Sequence, residues 1–393
     1  MTNPKAFKVV SPGRYLGLLG GGQLGRMFCM AAQSLGFKVL VLDPDSDGPA
    51  ATVADAQIQA DYHDENALQQ LAQRCDAVTT EFENVPAQAL EILAKTITVS
   101  PSAAAVQIAQ NRLLEKKFIA SQQVPVAPYV ELIPQQTRVD QNISPYLPGI
   151  LKTARFGYDG KGQVRVATSE QLIHALNELG MVPCVLEKQL NLKLEVSVIV
   201  CRDSSGNTIT YPVSENQHHQ GILQTCIVPA NIKPELADQA RHDATTIAIA
   251  LEYVGVLCVE FFILQDSTLV VNEIAPRPHN SGHYSINACI TSQFEQQARI
   301  LAGLPLGDPS LLAQAVMINL LGDLWFDDQG QQREPNWFKI LTFPEVKLHL
   351  YGKAEPRPGR KMGHVTVVAA SIEHALVIAE KVKASLGIQV QCG

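Results

Sequence analysis

The first hundred residues alternate short apolar runs with amphipathic ones, and few folds accept that order. Residues 15–19, 38–42, 77–80 and 96–99 have strand character, and helical periodicity fills about 24–35, 68–74 and 87–94. Strand–helix–strand order of this kind requires a parallel sheet with right-handed crossovers. A helix is expected over 102–122, then a proline-dotted stretch over 133–148. Strands then cluster near 149–153, 163–167, 184–188, 195–201, 208–213, 256–264 and 268–274, with one long helix at 233–251. Clustering in place of alternation predicts an α+β region. A last block has strands near 315–320, 347–351 and 363–368 and a helix over 372–386. Three segments follow: 1–110, 111–310 (with a flap lobe at about 125–190) and 311–393.

The chain of 393 residues is 46% hydrophobic and 18% charged, which excludes intrinsic disorder. Its net charge of −7 argues against nucleic acid as a partner, since such binders carry a basic surface. The eight cysteines show no C-x-x-C pairing, so reduced thiols and a cytoplasmic setting are expected. No apolar run reaches the ~18 residues of a membrane span, so no membrane association is expected.

Gly20-Gly21-Gly22-Gln23-Leu24-Gly25 lies between the first strand and helix and satisfies G-x-G-x-x-G, with Asp43 closing the second strand. Such a turn offers N–H groups and a positive dipole end to an anion. A dinucleotide, another anionic ligand and a structural turn are all compatible with it. Gly157-Tyr158-Asp159-Gly160-Lys161-Gly162-Gln163 follows the strand carrying Lys152 and leads into another strand. That context makes a glycine-rich flap, not a strand-to-helix phosphate loop. A flap can close over a triphosphate and exclude water, with Lys152 reaching the same phosphates. An ordinary hairpin with a surface lysine is the alternative.

A two-residue turn at Asp266-Ser267 would set Glu260 directly opposite Glu273. Like charges so placed among Phe261, Phe262, Val270 and Val271 repel and resist burial. A bound cation removes that penalty, and two carboxylates with phosphate oxygens suit Mg2+ (or Mn2+). A proton-sharing carboxyl pair is the alternative. On the cation reading, neutralising either glutamate should leave the metal-free chain at least as heat-stable. Beyond Glu273, Arg277 stands between two prolines, and its fork suits phosphate or carboxylate. Zinc held by His279 and His283 would need a helix, which Pro278 and Gly282 oppose. Lys353, Arg357, Arg360 and Lys361 crowd one turn, either as a solvated tip or as an anion site.

Together these segments resemble the ATP-grasp superfamily, and within it the carboxyaminoimidazole ribonucleotide synthases of purine biosynthesis. The resemblance spans nearly the whole chain: the glycine turn through Arg26-Met27, Glu81-Phe82-Glu83-Asn84-Val85-Pro86, the flap, the run from Asn272 to His283, and Lys353 to His364. It implies an α/β and α+β architecture, with a Rossmann-like pre-ATP-grasp domain, an ATP-grasp domain and a small C-terminal β-rich domain. The implied reaction uses ATP, Mg2+ and bicarbonate to carboxylate the amine of aminoimidazole ribonucleotide through carboxyphosphate, in a homodimer. Arg112 and Lys152 would touch the nucleotide phosphates beneath the flap, 157–163. Glu187, Lys188, Gln189 and Leu190 would form the adenine edge, Glu195 would hold the ribose, and His218 and Asn272 would complete the pocket. Glu260 and Glu273 would hold the metal, while Arg277, His279, Lys353 and Asp159 would handle the reactive intermediate. Gly22, Gln23, Leu24, Glu81, Tyr158, Asp159, Asn280, Lys353 and Arg360 would bind the ribonucleotide. The alternatives are another ATP-grasp ligase, biotin-carboxylase-like or formate-dependent, an NAD-dependent oxidoreductase, or a nucleotide sensor without turnover.

Overall fold

The computed structural model describes residues 7–133, 142–155, 157 and 162–388. The flap positions Tyr158, Asp159, Gly160 and Lys161 lie outside the described residues. The first block runs β1 (Tyr15–Leu19), α1 (Gln23–Ser34), β2 (Lys38–Asp43), β3 (Ala56–Gln59), α2 (Glu65–Arg74), β4 (Ala77–Thr80), α3 (Ala87–Ala94) and β5 (Thr98–Val99). Its strands form a parallel sheet in the order β3-β2-β1-β4-β5, as the alternation requires. Leu68, Leu71, Leu90 and Leu93 of α2 and α3 cover one face. The other face packs on Phe28 of α1 and on Phe294, Ala298 and Leu301, which come from the central segment.

The helix expected over 102–122 is two helices, α4 (Ala103–Ala109) and α5 (Arg112–Ser121). Asn111 breaks it: its side-chain oxygen accepts the Leu113 N–H at 3.0 Å and caps α5. Then come β6 (Tyr129–Leu132), β7 (Gly149–Thr153), β8 (Gln163–Val166), α6 (Ser169–Glu178) and β9 (Cys184–Lys188). These four strands make an antiparallel lobe in the order β6-β9-β7-β8.

The central segment continues with β10 (Leu192–Arg202), β11 (Thr208–Thr210), β12 (Ser214–His219), β13 (Ile222–Val228), α7 (Pro234–Ala250), β14 (Gly255–Leu264), β15 (Leu269–Ala275), α8 (Ser285–Ala288) and α9 (Gln293–Leu301). The last block adds β16 (Gln314–Leu321), α10 (Trp337–Leu341), β17 (Val346–Leu350), β18 (Lys361–Ala369) and α11 (Ile372–Leu386). Its strands extend the central sheet, whose order is β15-β14-β10-β12-β13-β16-β18-β17 with β11 on β10. The hairpin β12–β13 and helix α9 have no counterpart in the sequence expectation. Both bury polar side chains, Asn216 in the first and Gln293, Gln296 and Gln297 in the second, beside apolar positions such as Ile227 and Val228 of β13 and Phe294, Ala298 and Leu301 of α9.

The first glycine turn closes on the chain's own carboxylates. Glu81 accepts the N–H groups of Gly22 at 2.8 Å and Gly25 at 3.0 Å, and Asp43 accepts that of Gly21 at 2.6 Å. A dinucleotide would have to displace Glu81 from the helix N-terminus, so the oxidoreductase alternative loses its anion seat. A Cβ on Gly22 would lie 2.4 Å from Glu81 Oε1, although its φ of −77° suits any residue. Gly22→Ala should therefore act by steric displacement alone, lowering stability by about 1–3 kcal/mol. A thermal melt unchanged from the parent chain would show that Glu81 is not locked in this turn.

Candidate active site

The hairpin β14–β15 brings Glu260 opposite Glu273, but by a different route from a two-residue turn. Leu264 N–H bonds Thr268 O at 2.9 Å, so the loop holds three residues, with Ser267 at φ +68°. Phe261 then faces Val271, and a β-bulge at Asn272 restores Glu260 to Glu273. In an ideal strand Asn272 would point away from its neighbour Glu273, but a bulge re-aims the side chains beside it. Asn272 Oδ1 is buried without a hydrogen-bond partner.

Each of the two glutamates has its own side-chain partner. Arg112 Nη1 lies 2.7 Å from Glu273 Oε2, and His279 Nε2 lies 3.0 Å from Glu260 Oε1. Burial opposes the charge on Glu260, yet the His279 hydrogen bond and the His279, His218 and Arg277 charges hold it well below the usual carboxylate range. The two carboxylates therefore do not face each other as bare charges. Against the expectation that neutralising one relieves repulsion, the same change would take the carboxylate partner from Arg112 or His279. His279 Nδ1 meets Ser281 Oγ at 2.9 Å, and Ser281 Oγ lies 2.7 Å from Ser197 Oγ. The Gln293 amide grips the His279 backbone at N (2.9 Å) and O (2.7 Å), fixing the loop.

Helix α5 presents Arg112, Glu115 and Lys116 at i, i+3 and i+4, hence on one face. Glu115 accepts the Ile274 N–H at 2.6 Å, and burial pushes its carboxyl up to about 7. Lys116 Nζ lies 3.1 Å from Glu187 Oε1, and Lys152 Nζ lies 3.0 Å from Oε2. Burial opposes the Glu187 charge, but the two ammoniums hold it at about 2, while burial pushes Lys152 down. With its carboxylate turned onto two lysines, what 187–190 can offer a base is mainly backbone. Glu195 Oε2 pairs with His218 Nδ1 at 3.0 Å, which raises the imidazole's affinity for a proton against the effect of burial.

Arg277 is gripped by Glu83, whose carboxylate it holds at about 2 despite burial. Asn280 is 8% exposed, with both amide atoms lacking partners. Lys353 Nζ donates to Lys361 O at 2.7 Å and lines a cavity of about 230 Å³ with Trp325, Glu334 and Met362. Arg360 Nη1 donates to Glu355 O at 2.6 Å within its own turn. Tyr351, two residues before Lys353, packs in the core of the first block with Leu24 and Phe28, so the third block reaches the helix that follows the glycine turn. Glu83 lies in the 81–86 segment but was given no role, and Glu115, Lys116 and Gln293 carry no motif; the signal for the α5 pair was charged residues at helical spacing on a face that must be buried.

Family models match along the chain: a ribonucleotide synthetase preATP-grasp domain over residues 14–110, an ATP-grasp domain over 117–294, and a phosphoribosylaminoimidazole carboxylase C-terminal domain over 315–377. The chain is 45% identical over 359 residues to an N5-carboxyaminoimidazole ribonucleotide synthase of Brucella melitensis, covering 91% of this chain and 97% of that one. It is 42% identical to the Bacillus subtilis enzyme of that name, over 91% of this chain and 92% of the other. A Staphylococcus aureus N5-carboxyaminoimidazole synthetase complexed with ADP superposes with a TM-score of 0.88 at 40% identity, over 97% of this chain and 99% of that one. An Aspergillus clavatus synthase in complex with ADP and aminoimidazole ribonucleotide gives 0.85 at 31% identity, over 95% and 98%. With its three family models in order, its glutamate-bearing hairpin and relatives matched over 91% of its length, the chain belongs to the N5-carboxyaminoimidazole ribonucleotide synthase family of ATP-grasp ligases.

Proposed function

We propose that this chain uses ATP and bicarbonate to carboxylate the amine of 5-aminoimidazole ribonucleotide, releasing ADP and phosphate. The observation that carries the reading is the convergence at β14–β15: two paired carboxylates beside Arg277 and His279, with the Lys152–Glu187 contact behind them. Arg112 and Lys152 would bind the nucleotide phosphates, and Glu195 with His218 would take the ribose. The oxygen donors Glu260, Glu273 and the unpartnered Asn272 Oδ1 suit Mg2+. Bound there, Mg2+ would neutralise charge developing on the transferred phosphoryl group. Arg277, held by Glu83, and His279, held through both ring nitrogens, would orient a bicarbonate-derived anion without moving. Tyr351 anchors Lys353 near the first block, so the ribonucleotide would lie between the glycine turn and the 353–360 turn. The flap would close over the phosphates. Assembly as a cytoplasmic homodimer belongs to the same reading, carried by the family resemblance.

The deciding measurement is phosphate release from ATP with each substrate omitted in turn. Release that requires both bicarbonate and aminoimidazole ribonucleotide supports the reading, and release indifferent to the ribonucleotide overturns it. Glu273→Gln and Glu260→Gln should each abolish most turnover. Glu273→Gln should also lower the stability of the metal-free chain, because Arg112 loses its counter-charge. A loss of about 1–3 kcal/mol is expected, below that of a fully buried pair since the Glu273 side chain is 37% exposed. A variant melting at or above the parent temperature would restore the repulsion account.

Arg360→Ala separates the three-block site from an inert turn. An arginine–phosphate contact is charge-assisted and worth about 1.5–3 kcal/mol. Its loss should raise the KM for the ribonucleotide about ten- to a hundredfold and leave that for ATP nearly unchanged. Equal effects on both substrates, or none, would return the turn to solvent.

A further inference from the structure

The Lys116–Glu187–Lys152 cluster holds two ammoniums and one carboxylate in the interior. Lys116 is 1% exposed at its side chain, Glu187 4% and Lys152 10%. The contacts differ in kind. Lys152 donates an aligned hydrogen bond to Glu187 Oε2, whereas Lys116 Nζ and Glu187 Oε1, though 3.1 Å apart, are not aligned for one. Lys116 also lies 5.9 Å from the Tyr129 ring centroid, shut between α5 and the β6–β9 strands. Its neighbours Arg112 and Glu273 already neutralise one another.

We infer that Lys116 is the standing counterion of Glu187, leaving one excess positive charge in the cluster and freeing Lys152 to transfer to a nucleotide phosphate. The inference rests on the nucleotide site proposed above and deepens it. Were Lys152 the only partner of Glu187, moving it to a phosphate would strand a buried carboxylate, a loss that truncation of buried pairs shows to be severe. With Lys116 in place, Glu187 stays compensated throughout, and the incoming anion removes the surplus charge. Lys116 is thus a positioning residue that acts through Glu187 and Lys152.

Lys116→Met tests this because it makes the cluster electroneutral. The variant should melt no lower than the parent chain, yet bind ADP about ten- to a hundredfold more weakly by calorimetry. The double variant Lys116→Met with Glu187→Gln restores one surplus positive charge on Lys152 and should recover ADP binding to within about threefold of the parent. A purely structural lysine gives the opposite pattern: a lower melting temperature in the single variant, and no recovery in the double one. Parent-like ADP binding by Lys116→Met overturns the inference alone, since the parent chain still binds. Failure of the parent chain to bind ADP overturns both the inference and the nucleotide site beneath it.

Discussion

The ion pair between Arg112 and Glu273 ties the start of α5 to the bulged end of β15, and the rest of the site is hung from it. Arg112 is the first residue of its helix, and its N–H also bonds Ala154 O at 2.9 Å, at the end of β7. One residue therefore joins the antiparallel lobe to the edge of the large sheet. The same helix face adds Glu115 on the Ile274 N–H and Lys116 on Glu187. A buried face made of charges is expensive unless every charge is matched. Here the matching partners lie on different strands, so satisfying them also fixes where those strands sit.

Four of the first block's five strands were legible because its parallel sheet is packed on both faces, which favours apolar runs, whereas β3 reads Ala-Gln-Ile-Gln, has no buried residue and was not expected. The glutamate hairpin was legible for a less direct reason. Its loop is one residue longer than a tight turn, and the bulge at Asn272 shifts the ladder back by one. The two departures cancel at Glu260 and Glu273, so the pairing holds although the turn does not. Neither departure shows in the pattern of apolar residues. The bulge falls at Asn272, whose amide oxygen is buried without a hydrogen-bond partner.

Two elements without a sequence expectation, β12 and α9, turn polar side chains inward. In β12, Ser214 and Asn216 are buried and the hydroxyl network of Ser197, Ser214 and Ser281 lies beneath His279. In α9, Gln293 and Gln297 are buried because they bond the His279 backbone and Thr79. Apolar period alone does not show what these buried polar groups do, which is to hold the His279 loop in place. Glu81, a ligand contact by the resemblance, also caps the first glycine turn through the Gly22 and Gly25 N–H groups, a second role that its motif does not show.

In this structure the site's main charges are paired before any ligand is present: Glu260 by His279, Glu273 by Arg112, Glu187 by two lysines, Glu83 by Arg277, Glu195 by His218. Binding of a metal–triphosphate at such a site exchanges partners instead of filling vacancies. Anionic phosphate can draw Arg112 and Lys152 away only if the carboxylates they leave find a cation in turn. For Glu273 that cation would be the metal; for Glu187 it is Lys116, already in place. Nucleotide and metal would then bind cooperatively, because each supplies the partner that the other's arrival removes. Free nucleotide without metal would strand Glu273, and metal without nucleotide would crowd against Arg112. Under the proposed site the pairing would therefore favour the complex of the two over either alone, and it would do so without a preformed cavity of unbalanced charge that would destabilise the empty protein.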